Sequence, residues 1–167
     1  MRKSLVLALA LGTVVPSSAR SQSSWDRYKP GTLRTIVAEH DTEVGTACDT
    51  VRPCTMISAK DFATATHVTF LGEWQPLSPE TIKHITTWAK TFRIDTAVAA
   101  SFAQELLVRE DSLEYWLPMQ RVLVDAFKSE VPTGHGATLL AIFTGGYVER
   151  NEPPRWVFLV NEFQADD

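Results

Sequence analysis

Apolar and polar positions fall into short alternating or helical stretches along the chain, and each stretch predicts an element. Leu33-Arg34-Thr35-Ile36-Val37-Ala38-Glu39 is rich in β-branched residues, follows the turn signal Pro30-Gly31, and reads as a strand. Residues 41–64 read as a long connection, of the kind that is usually stapled or functional. Thr66-His67-Val68-Thr69-Phe70-Leu71 alternates, with Val68 and Phe70 on one face, and reads as a second strand ending at Gly72. Ser78-Pro79-Glu80 combines a favoured N-cap, a proline suited to the first helical position and an acid suited to the first turn. Ile82, Ile85, Ala89 and Phe92 recur behind it at helical spacing, which predicts a helix over 79–91 with His84 facing solvent.

Beyond that helix the periodicity is mixed. Asp95 suits the cap of a short helix through Ala97-Val98-Ala99-Ala100, which Val98, Phe102 and Leu106 would extend by four-residue steps. Glu105 to Arg109 and Leu113 to Leu117 instead resemble two strands around the polar turn Glu110-Asp111-Ser112. The reading adopted is a short helix followed by that hairpin. Pro118 then opens a helix with the stripe Val122, Leu123, Ala126 and Phe127, stopped by Pro132 and Gly134. Ala137 to Phe143, bounded by glycines, and Trp156 to Val160 read as buried strands paired through residues 145–155. Strands and helices do not alternate regularly, which disfavours a doubly wound parallel sheet. The expected fold class is α+β: a curved antiparallel sheet or small partly open β-barrel, OB-like or SH3-like in one version, with two or three covering helices.

The first residues change the picture of where the domain works. Met1-Arg2-Lys3 is basic, Leu5 to Val15 is apolar, Pro16 breaks the run, and Ser17-Ser18-Ala19 places small residues before a cut after Ala19. That predicts a signal peptide over 1–19, with Ser21 or Gln22 as the alternative cut. The apolar run of about eleven residues falls short of the roughly 20 a spanning helix needs. The expected organisation is therefore signal peptide 1–19, a loose lead-in 20–32 whose Trp25 and Tyr28 could pack on the domain, and a single globular α+β domain over 33–167. The expected location is exported, periplasmic or secreted, without an integral membrane segment after cleavage. The lean basic start and the lack of an N-x-[ST] acceptor fit a bacterium.

Charge and cysteine count narrow the partners. Removing residues 1–19 leaves 148 residues and moves the net charge from −4 to −6, because Arg2 and Lys3 go and no acid does. An acidic chain without clustered Lys and Arg excludes a nucleic-acid backbone as its natural partner. Cys48 and Cys54 are the two cysteines of the chain, and in an oxidising compartment a close pair predicts a disulfide. Closing so small a ring contributes about 2–2.5 kcal/mol in the chain-entropy picture. The C-x5-C spacing is not the C-x-x-C of a redox motif, and no further soft ligands lie at zinc-finger spacing.

Motifs that carry a mechanism are missing from the sequence. It has no phosphate loop, no dinucleotide fingerprint, no H-E-x-x-H, no EF-hand loop and no nucleophile elbow, so no cofactor is expected. His40 beside Asp41 and near Glu43, joined by His67 from a neighbouring strand, is the one group with the character of a zinc or manganese site; an ordinary polar loop start is the plainer reading. His135, between Gly134 and Gly136, reads as part of a helix-to-strand turn. Glu105, Glu110, Asp111 and Glu114 cluster around the hairpin turn, as a paired-carboxylate hydrolase would need, although a solvated face is the commoner meaning. Glu114, Tyr115, Trp116 and Gln120, beside the expected helix start at Pro118, form the candidate ligand or partner surface: rings that stack next to free backbone N–H groups.

These features favour a non-catalytic exported binding or accessory module for an unidentified protein, peptide or small-molecule ligand. The alternative is a small metal-dependent or carboxylate-based hydrolase. A structural subunit that packs through its aromatic face is a third possibility.

Overall fold

The central element is one long, bent strand. The computed structural model describes residues 27–48, 53–149 and 152–166, without the side chains of 42–47 and 60–62. The expected signal peptide, Trp25 and most of the lead-in lie outside those residues. Strand β2 (Cys54–Pro76) carries two irregularities, between Ile57 and Phe62 and between Phe70 and Trp74. Bulges of this kind bend a strand and strengthen its twist. Here they let β2 pair antiparallel with β5 (Gly136–Val148) along Cys54 to Thr69, and with β3 (Phe102–Glu110) along Thr69 to Pro76. Opposite Ile57, β5 comes so close that a Cβ on Gly145 would lie 2.1 Å from the Met56 carbonyl; its φ of +113° also requires glycine.

Pairing continues antiparallel from β3 to β4 (Leu113–Gln120) and from β5 to β6 (Arg155–Ala165). A single parallel contact, Met119 with Val160, joins β4 to β6. The two-residue β1 (Lys29–Pro30) runs parallel to β2 at Thr64 and Ala65. The result is a six-stranded, mostly antiparallel sheet curled into a partly closed ring, with four helices among the described residues where two or three were expected. The class is mixed α and β.

Two elements differ from the sequence reading. Leu33–Cys48 is helix α1, not a strand followed by a long connection. Its start is fastened by contacts invisible in the local sequence. Glu110, at the end of β3, accepts from the Leu33 N–H at 2.8 Å and the Arg34 N–H at 3.0 Å, and the Thr66 hydroxyl donates to the same carboxylate. Thr32 adds a side-chain cap to the Thr35 N–H at 3.1 Å. A carboxylate on the orphan donors of a helix start is stabilised by both hydrogen bonding and the helix dipole. Leu33, Ile36 and His40 then face inward at helical spacing. The second difference concerns Pro118, which lies inside β4 opposite Glu105, so α4 begins later, at Arg121–Glu130. Its buried residues are Val124 and Phe127, while Val122 is 79% exposed.

Helix α2 (Pro79–Thr91) forms as its caps predict, with the Thr81 N–H donating to Ser78 Oγ at 3.0 Å. Its buried face is rotated from the expected stripe and consists of Thr81, His84, Ile85 and Ala89; Ile82 is 50% exposed. Asp95 caps the short α3 (Thr96–Ala100) by accepting from the Ala97 N–H, and the hairpin β3–β4 follows as expected. Cys48 and Cys54 lie at disulfide-bonding distance with Cα atoms 5.5 Å apart, tying the end of α1 to the start of β2. No helix among the described residues is long and apolar enough to cross a membrane.

The alternating strand residues serve two cores. One face supplies Val68, Phe70, Leu106, Val108, Leu117 and Met119, among others, and packs against α1 and α4. The opposite face supplies Phe102, Val157 and Leu159 and packs against Ile85 and Trp88 of α2 and Ala99 of α3.

Candidate functional site

The face beneath α2 and α3 is where polar chemistry collects. Glu105 on β3 is fully buried, yet it is not the solvated hairpin acid expected from its neighbours. Arg155 donates to its Oε2, Gln75 donates to the same oxygen at 2.8 Å, and the Thr81 hydroxyl donates to Oε1 at 3.1 Å. Thr81 and Ser78 also lie 3.0 and 3.3 Å from the Tyr147 hydroxyl. A buried carboxylate is tolerated when its lone pairs and charge are matched in this way. The cluster docks the first turn of α2 onto β3, β5 and β6.

One turn further, His84 is 1% exposed, contrary to its expected place on the solvated side. Its Nε2 lies 3.1 Å from Thr144 Oγ1, whose hydroxyl donates to the Val157 carbonyl. Nε2 is therefore the protonated nitrogen, and Nδ1 is buried with no partner among the described residues. Burial lowers the imidazole pKa to about 4, against the opposing effect of hydrogen bonding at Thr144.

Past this anchored first half, α2 and α3 part from the sheet and leave a cavity of about 620 Å³. Trp88, Phe92 and Val98 form its helical wall, and Phe102, Ile142 and Leu159 form its floor. The Trp88 and Phe92 rings lie 6.4 Å apart, and the partly exposed Phe92 marks the solvent side. The polar part of the lining consists of Arg27, Ser58, Gln120 and Asn161. Three of these belong to one chain of hydrogen bonds. Gln120 Nε2 donates to Asn161 Oδ1 at 2.9 Å, and Asn161 Nδ2 donates to the Tyr28 hydroxyl at 3.2 Å. Arg27 Nη2 donates to that hydroxyl at 2.8 Å, with its guanidinium 4.9 Å above the Tyr28 ring. Tyr28 is thus packed and bonded on the domain, as the lead-in aromatics were expected to be able to do. A second, smaller hollow of about 350 Å³ runs along α4 and β6 and shares Gln120 and Asn161.

The sequence candidates are dispersed. Of Glu114, Tyr115, Trp116 and Gln120, Gln120 alone lines the cavity. Glu114 is exposed and Trp116 half-buried along β4, well before α4 begins. Tyr115 packs on the other core; its hydroxyl is buried without a partner among the described residues, and burial, then the charge of Glu110, pushes its pKa up. His40 is buried in α1, with Nδ1 2.8 Å from the Ile36 carbonyl and its ring 4.8 Å from that of Phe143. The next residue, Asp41, is exposed. His67 is exposed on β2 and pairs with Asp166 at 2.8 Å. Among the described residues no group of three or more His, Cys, Asp or Glu is placed to hold a metal ion. His135 stands in the turn between α4 and β5, as read.

Arg27, Trp88, Phe92 and Asn161 escaped the sequence reading as site residues. Trp88 and Phe92 did carry a signal: two rings four residues apart at the end of a helix. Set against protein-family models, curated proteins and solved structures, the chain matches none of them.

Proposed function

We propose that this protein is a non-catalytic binding module that holds a small amphipathic molecule in the cavity beneath α2 and α3. The observation that carries this is the lining itself. A concave space of about 620 Å³ is walled by aromatic and aliphatic side chains and carries a few linked polar groups. That composition and size suit a small-molecule ligand: apolar walls supply affinity, and sparse polar groups set orientation. The acids that would serve a hydrolase favour the binding reading, because Glu105 and Glu110 spend their lone pairs on Arg155, Gln75 and Thr81 and on the start of α1. Export, with the Cys48–Cys54 pair formed in an oxidising compartment, belongs to the same proposal.

The test uses N-phenyl-1-naphthylamine, an uncharged apolar dye that brightens when it leaves water. The expected result is saturable binding at one site. Ala59→Trp puts an indole into the cavity from an exposed position of its lining and should weaken the dye by about tenfold, roughly 1.4 kcal/mol. Absence of saturable binding, or equal affinity in the variant, would overturn the reading.

A further inference from the structure

Among the described residues that line the cavity, Arg27 is the single formally charged one, and no aspartate or glutamate stands with it. The guanidinium is also held in place: one N–H is spent on the Tyr28 hydroxyl, and the cation rests on that ring. Tyr28 is buried and is fixed from the other side by Asn161. The rest of the guanidinium donors remain for a ligand. Asn161 and Gln120 each commit one amide N–H to the chain and keep a second, so this end of the cavity is rich in donors.

We infer that the ligand is an amphipathic monocarboxylate, its apolar body between the Trp88–Phe92 wall and the Ile142–Leu159 floor and its carboxylate on Arg27, Asn161 and Gln120. This deepens the reading above and rests on it. A positive charge at the rim of a mostly apolar space is stabilised by an opposite charge, and a planar guanidinium matches the two oxygens of a carboxylate. A hydroxyl head offers one accepting oxygen and no charge, so it matches those donors less well. Preorganisation by Tyr28 reduces the ordering that binding would otherwise impose on a long, flexible side chain.

The experiment compares octanoate with 1-octanol near neutral pH by displacement of N-phenyl-1-naphthylamine. In the unmodified protein octanoate should bind about tenfold tighter than the alcohol, the ordinary worth of a charge-assisted hydrogen bond. Arg27→Gln, at an exposed position, should bring the two ligands to equal affinity, each displacement being referred to the dye affinity measured for that variant. Arg27→Lys should keep part of the preference, since it retains a charge and loses the fork. Equal binding of acid and alcohol by the unmodified protein, a preference that survives Arg27→Gln, or no difference between the Lys and Gln variants would overturn the inference. If the dye itself finds no site, the cavity reading fails and this one with it; if the dye binds without a head-group preference, only the monocarboxylate is lost.

Discussion

The two faces of the sheet are built from alternate residues of the same strands, yet they are packed by different rules. On the face covered by α1 and α4, apolar rings interlock. Phe127 meets Phe70 at 5.3 Å, Trp74 at 5.8 Å and Phe163 at 4.9 Å, all edge-on. On the face covered by α2 and α3, the apolar cluster is smaller, hydrogen-bonded polar groups share the contact, and a space is left unfilled. Close packing supplies most of a domain's stability, and a cavity forfeits part of it. Concentrating the packing on one face therefore leaves the other at liberty to stay open for a ligand. Stability and binding should then respond to different substitutions.

The sharpest way to break that division is Phe127→Ala. The ring is fully buried at the centre of the aromatic cluster, so its removal should cost about 4 kcal/mol, through lost transfer energy and the cavity left behind. Urea unfolding measures this directly. A loss below about 1 kcal/mol would mean that the face under α1 and α4 is not where the fold is held.

The next effect belongs to the polar face and depends on pH. His84 has a pKa of about 4 in the fold and an ordinary value of 6.5 once exposed. Between those values the unfolded chain takes up a proton that the folded chain refuses. Stability is therefore full above pH 6.5, falls as the pH drops through that window, and levels off near pH 4. The total is about 3 kcal/mol at 1.36 kcal/mol for each unit of difference. His84→Gln should flatten the profile across the window. An unchanged slope would show that the imidazole is not the group that titrates.

These contrasts also explain what could be read from the sequence. Helix α2 was legible because its cap is local: Ser78, Pro79 and Glu80 state the start without help from elsewhere. The β3–β4 hairpin and the β5–β6 pair were legible for the same reason, as apolar runs around polar turns. Helix α1 was not. Its β-branched start looks like strand, and its N–H groups are satisfied by Glu110, 77 residues from Leu33. Tertiary contacts override intrinsic propensity in this way. The phase of α2 was misjudged because Thr81 and His84 are buried by partners, Glu105 and Thr144, that only the folded sheet brings near. The cavity was the least legible feature. It is a gap between elements, lined from β2 to β6, both helices and the residues before β1, so no local run of residues announces it. Gln120 was reached through a helix start expected at Pro118, three residues early; it is the N-cap residue of α4.

The smallest expected effect bears most directly on the comparison. Phe92 ends α2, is 43% exposed, and lines the cavity with Trp88. Truncating a ring that already stands half in water removes little packed area, so Phe92→Ala should cost only about 0.5 kcal/mol in urea unfolding. Its effect on the cavity should be larger in proportion. The ring supplies one side of the apolar wall, and its loss should weaken N-phenyl-1-naphthylamine by about threefold, the equivalent of a partly buried contact. Phe127→Ala should do the reverse wherever the variant remains folded, lowering stability severely while the dye affinity of the folded fraction holds. If both substitutions instead moved stability and dye affinity together, the two faces would be one cooperative packing unit, and the space beneath α2 and α3 would be a defect in that unit rather than a site kept open.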